Sequence, residues 1–127
     1  MRISSVSVTT KDMNKSIEFF KILGFQFDES KVKEQHVENI WKDNDTKLMI
    51  DTEDMIKSIL GYVPIASNCS TFAILFDSVN EIDVIANNLK SSGFEIVKEP
   101  WNAFWGQRYC IVKDPNGHMI DLYAYLK

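Results

Sequence analysis

The feature that most constrains this chain is an internal repeat. A strand–helix–strand order runs through the first half and then begins again. Ser5-Val6-Ser7-Val8-Thr9 alternates small polar with β-branched residues, the pattern of a strand with one apolar face. Asp12 follows as an N-cap, and Ile17, Phe20 and Leu23 recur at helical spacing before Gly24 closes the helix. In the second half Thr71–Phe76 reads as a strand, and Asp77 or Ser78 caps a helix. Its Val79, Ile82, Ile85, Ala86 and Leu89 share one stripe, and Gly93 ends it.

The strands after each helix correspond as well. Gly24-Phe25-Gln26-Phe27 sits where Gly93-Phe94-Glu95-Ile96 sits, each just past its helix. Further strands are predicted over Val37–Trp41 and Thr46–Asp51 in the first half. In the second they are predicted over Phe94–Val97, Tyr109–Val112 and Met119–Tyr125, with Asp114-Pro115-Asn116-Gly117 as a turn. The period is about half the chain, so the pattern is a duplicated βαβββ module and not a solenoid. Module 1 spans about residues 1–52 and module 2 about 69–127. Residues 53–68 connect them, with a short helix near Met55–Leu60. One module leaves a sheet face uncovered, so the two are expected to fold as one domain.

Composition excludes several function classes. The 127 residues carry 18 acidic and 14 basic side chains, net −4, with no basic stripe; a nucleic-acid partner is not expected. No apolar run is long enough to span a membrane, and the opening "MRISSVSVTT" lacks the apolar segment of a secretion signal. Cys69 and Cys110 are therefore expected to be reduced, buried thiols in a cytoplasmic protein. There is neither a glycine-rich phosphate loop nor a nucleophile elbow.

Two stretches carry a family resemblance: "VSVTTKDMNKSIEFFKILGF" and "WGQRYCIVKDPNGHMIDLYA". Together with the repeat they resemble the vicinal-oxygen-chelate superfamily, which holds glyoxalases, bleomycin-resistance proteins and extradiol dioxygenases. The resemblance covers essentially the whole chain. It implies an α+β fold in which two βαβββ modules form a curled mixed sheet around a cleft. It also implies, in the metal-dependent members, a divalent ion held by two His and one or two Glu. The matching positions here are Ser5, Met49, Thr71 and Asp121. A catalytic divalent ion wants about three imidazole or carboxylate ligands, and this set supplies one carboxylate. The expectation is a cleft without a functional metal. The remaining alternative is a remodelled site using His36 or Glu38.

Alternation assigns the faces. Val6, Val8, Phe72, Ile74, Phe76, Ile120 and Leu122 are expected under the helices. Ser5, Ser7, Thr71, Ala73, Asp121 and Tyr123 are then expected to line the cleft. Trp41, Trp101, Phe104, Trp105, Tyr109 and Tyr123 supply rings suited to a flat or cationic guest, or to packing against a second chain. Arg108 is a candidate partner for Asp121, Glu99 or a ligand anion. Asp121 is read as a hydrogen-bond acceptor for a ligand, ahead of a residual metal ligand or a general base.

Two functions follow. The first is a metal-free protein that binds a small aromatic or cationic molecule, as the resemblance to the bleomycin-resistance branch implies, expected to act as a homodimer. The second is a glyoxalase-type lyase, isomerase or dioxygenase with a remodelled site.

Overall fold

The computed structural model describes residues 1–127. Three helices and seven strands form an α+β fold with two mixed sheets. The chain divides into two compact units, Met1–Ile65 and Ala66–Lys127.

In the first unit β1 (Ser5–Thr10) leads into α1 (Met13–Leu23). Asp12 caps the helix through its side chain, which accepts from the Lys15 amide at 3.2 Å. Gly24 closes it in the left-handed region, φ 113°, which a residue with a Cβ adopts only with strain. Phe19 and Phe20 are fully buried and meet edge to face, with centroids 5.0 Å apart. Ile17 and Leu23 complete the buried stripe.

β3 (Lys47–Thr52) lies at the centre of this sheet, parallel to β1 and antiparallel to β2 (His36–Glu38). Its Leu48 and Ile50 are buried with Val8 and Val37. Thr52 then caps α2 (Glu53–Leu60), which packs on β1 and β3 and so belongs to the first unit rather than to a connector. No helix in the chain is long and apolar enough to cross a membrane.

The strand expected at Phe25–Phe27 does not form. Phe27 is buried, and the Gln26 carbonyl accepts one bond, from the Ile40 amide at 2.7 Å, but no ladder follows. Asp28 turns the chain away at once by accepting from the Ser30 amide and hydroxyl. Strand β2 is also shorter than expected. Beyond Glu38, the Asn39 side chain takes the Leu48 amide at 2.8 Å, in place of a backbone carbonyl. The first module therefore has two strands after its helix, not three.

The second unit keeps the full pattern, with strand order β4-β7-β6-β5. β4 (Ser70–Leu75) runs parallel to β7 (Met119–Tyr125), as β1 runs beside β3. Between them in sequence come α3 (Val79–Ser91), β5 (Glu95–Ala103) and β6 (Gln107–Lys113). Ser78 is the N-cap, and its amide donates to Glu81 at 2.8 Å. Ile82, Ile85, Ala86 and Leu89 bury the helix against the sheet, while Val79, in the first turn, stays exposed.

Cys110, Val112, Ile120, Leu122 and Ala124 form the buried side of β6 and β7. Phe72, Ile74 and Phe76 follow the expected parity but are only half-buried, because β4 is an edge strand. The Asp114-Pro115-Asn116-Gly117 turn is built on Asp114. Its Oδ1 accepts from the amides of Asn116 and His118, both at 2.9 Å.

Candidate functional site

The stretch "PWNAFWGQRY" is a β-hairpin. β5 runs through Trp101 to Ala103, and β6 returns from Gln107, with Trp101 opposite Tyr109. Phe104, Trp105 and Gly106 form the tip. The Gly106 amide bonds the Ala103 carbonyl at 3.0 Å, and Gly106 takes φ 90°. This is the glycine-requiring geometry of a three-residue hairpin loop. The Leu126 amide bonds the Gly106 carbonyl and ties the tip to the end of β7.

Strand alternation then sends one set of rings to the face away from α3. Trp101 and Tyr109 meet at 5.3 Å, Trp105 and Tyr109 at 5.5 Å, and Trp101 and Trp105 at 6.2 Å. Tyr109 stacks on Tyr123 at 5.7 Å with an interplanar angle of 20°, and Phe104 extends the chain of rings from Trp105. The Trp105 indole N–H donates to Gln107 Oε1 at 2.8 Å, which orients the ring at the tip.

Asp121 stands on the same face of β7, two residues before Tyr123. Its Oδ2 accepts the Tyr109 hydroxyl at 2.5 Å, and its Oδ1 accepts the Ser70 hydroxyl at 2.5 Å. Burial, and then the bond to Asp121, push the Tyr109 phenol up to about 12, so it remains a donor at neutral pH. Each carboxylate oxygen has further lone pairs, so Asp121 can still accept from a guest. The result is a platform of rings with a carboxylate at one end.

Among the expected family metal positions, Ser5 and Met49 lie on β1 and β3 of the first unit, and Thr71 and Asp121 lie on the second. Thr71 falls at a register shift between Ser70 and Phe72, and its neighbour Ser70 holds Asp121 instead. Two hydroxyls, a thioether and one carboxylate engaged by two O–H donors do not fit a catalytic divalent ion. No three His, Cys, Asp or Glu side chains are grouped so as to hold a metal ion.

Arg108 does not join the platform. Adjacent to Tyr109 on β6, it points to the opposite face, where its Nη2 pairs with Asp83 of α3 at 2.6 Å and its Nη1 donates to Asn102. The expected pairing with Asp121 or Glu99 is replaced by this strand-to-helix bridge. Cys69 is exposed rather than buried, whereas Cys110 is buried, and its thiol is pushed up to about 12 by burial. Neither has the environment of an activated nucleophile.

Trp41 belongs to the first unit, where Lys47 Nζ lies 4.8 Å over its ring. It borders a cleft of about 430 Å³ whose lining includes Lys31, Glu34, His36, Glu38 and Ile40. Two residues apart on β2, His36 and Glu38 share a face, and Asp51 is the register partner of His36. His36 Nδ1 bonds Asp51 at 2.5 Å and Nε2 bonds Glu38 at 3.0 Å, while Lys47 pairs with Glu38 at 3.3 Å.

The bonds to Glu38 and Asp51 raise the His36 pKa, and the bond to His36 lowers that of Glu38. Both ring nitrogens of His36 are thus engaged by carboxylates within this charge cluster. Sequence reasoning singled out His36 and Glu38 but missed Asp51, although the i, i+2 spacing of the first two places them on one strand face.

The chain matches the model of the Glyoxalase/Bleomycin resistance protein/Dioxygenase superfamily over residues 2–122. No curated protein sequence matches it significantly. Among solved structures, it is similar to a glyoxalase/bleomycin resistance protein/dioxygenase family enzyme from Burkholderia phytofirmans. That match has 15% identity and TM-score 0.79, covering 99% of this chain and 100% of that one. A glyoxalase/dioxygenase from Nostoc punctiforme matches with 16% identity and TM-score 0.73, covering 99% and 92%. A lactoylglutathione lyase from Agrobacterium tumefaciens matches with 12% identity and TM-score 0.68, covering 97% and 92%. Identities this low carry the fold and not the activity. The chain belongs to the glyoxalase/bleomycin resistance protein/dioxygenase superfamily.

Proposed function

We propose that this protein binds a small aromatic cation without a catalytic metal, on the ring face of its second unit. The carrying observation is the convergence of Trp101, Trp105, Tyr109 and Tyr123 beside Asp121. Ring faces attract organic cations through the π quadrupole, and a carboxylate at the platform edge adds a point charge for the guest's nitrogen. Ser70 and Tyr109 hold that carboxylate in one orientation, so little ordering cost falls on binding.

The test is tryptophan emission in a Trp41→Phe variant, where only Trp101 and Trp105 report. Titration with benzyltrimethylammonium is expected to give saturable quenching. A flat response across a panel of aromatic and cationic compounds overturns the proposal.

A second reading is a metal-dependent lyase, isomerase or dioxygenase with a remodelled site, for which His36, Glu38 and Asp51 beside the first unit's cleft are the candidate residues, although they are not grouped so as to hold a metal ion here. Elemental analysis of protein purified without chelator separates the two. About one equivalent of a transition metal, lost in His36→Gln, supports the second reading, and a substoichiometric trace supports the first.

A further inference from the structure

We infer that the cation position on this platform is already taken in the unliganded protein by the ammonium of Lys98, and that the ligand must displace it. This rests on the binding function proposed above and identifies both the ligand's charged group and its intramolecular competitor.

The placement of Lys98 follows from a break in strand β5. Lys98 and Trp101 are three residues apart, so in an unbroken strand their side chains would point to opposite faces. The β5–β6 register shifts twice, between Ile96 and Lys98 and again between Lys98 and Trp101. Pro100 lies within the second shift, where its missing N–H cannot serve the ladder. Such a shift re-aims a side chain. Here it brings Lys98 onto the face of Trp101, with Nζ 4.4 Å from the ring centroid.

No ion pair holds the Lys98 side chain in this position. On the same strand Glu95 pairs with Lys113 and Glu99 with Lys90. The Trp101 ring is what Lys98 meets. The protein's own ammonium thereby shows which ring face takes a positive charge. An exposed lysine at that spot is a weak, displaceable occupant, worth only the modest energy of an exposed cation–π contact.

A ligand suited to replace it carries a quaternary or tertiary ammonium over Trp101 and an aromatic group along Trp105 and Tyr109. An anionic aromatic compound has no such position, because it would face Asp121.

The experiment uses the full chain in the Trp41→Phe background and benzyltrimethylammonium as the probe. Lys98→Met is compared with Lys113→Met, which removes the same charge from the same sheet without uncovering Trp101. Lys98→Met is expected to tighten binding about threefold to tenfold, with Lys113→Met within about twofold of the parent. Circular dichroism checks that both variants fold. If the parent binds and Lys98→Met binds equally or more weakly, or if Lys113→Met tightens binding as much, the displacement inference is overturned while the binding function stands. If neither parent nor variant binds, both fall together.

Discussion

The Tyr109 hydroxyl and the Asp121 carboxylate are joined at 2.5 Å across the β6–β7 ladder, with the Tyr109 ring packed between Trp101 and Tyr123. This one side chain therefore both builds the platform and orients the acid beside it. Tyr109→Phe is expected to keep the rings in place and to lose about 1 kcal/mol of stability for the missing hydrogen bond. Urea denaturation of the two proteins measures the difference. Unchanged stability would show that water replaces Tyr109 on Asp121 at no cost.

Asp121→Asn keeps shape and removes charge. Affinity for an aromatic cation is expected to fall about tenfold, the scale of one charge-assisted contact. Affinity for a neutral aromatic of the same size should not change. Parallel fluorescence titrations with the two probes read the contrast, and equal losses would assign Asp121 a structural role only.

At the hairpin tip, Phe104 is 97% exposed and Trp105 is 49% exposed. Replacing Phe104 by Ala is expected to change stability by less than about 0.5 kcal/mol. Trp105→Ala should cost little more, yet abolish most of the ligand-induced quenching left in Trp41→Phe. A large loss of melting temperature in Phe104→Ala would mean that the tip is covered in solution, as by a second copy of the chain.

The His36 cluster predicts a pH dependence. Glu38 and Asp51 raise the His36 pKa, so its contribution to stability is full below the ordinary imidazole value of 6.5 and is lost as pH rises through the elevated folded value. Glu38 is lowered, so its contribution is present above its ordinary carboxylate range and is lost as pH falls through the depressed folded value. The stability gap between the parent and His36→Gln should therefore narrow on going from pH 6 to pH 9. Thermal melts at several pH values test this, and a gap independent of pH would contradict the cluster.

Asp114 is 4% exposed, its Oδ2 has no partner, and burial raises its pKa. Its Oδ1 does the work of the turn, which an amide oxygen can also do. Asp114→Asn is thus expected to be tolerated, whereas Asp114→Ala leaves two amides short of an acceptor and should cost about 1–3 kcal/mol. Chemical denaturation of the pair is the check.

The repeat, the helix caps at Asp12 and Gly24 and the turn at Asp114 were legible because each is a local pattern. Capping, left-handed glycine and period-two alternation act within a few residues. What escaped the sequence depends on distant partners. Phe25–Phe27 has the composition of a strand, but Asp28 turns the chain before a ladder can form. The strands flanking Trp105 run to Ala103 and from Gln107, beyond the predicted Phe94–Val97 and Tyr109–Val112, because Pro100 and Gly106 interrupt the alternation there. Arg108 lies beside the rings in sequence but on the other face of β6, against Asp83. Ser70 was missed at Asp121 because the β4 register shift moves the contact one residue from Thr71.

Binding of an aromatic cation on the rings around Tyr109 is the proposed function. It is tested most directly by following the three indole N–H signals in a proton–nitrogen correlation spectrum during titration with benzyltrimethylammonium. The Trp101 and Trp105 signals are predicted to shift saturably, while Trp41, in the first unit, stays in place. Static Trp101 and Trp105 signals, or a shift confined to Trp41, would contradict it.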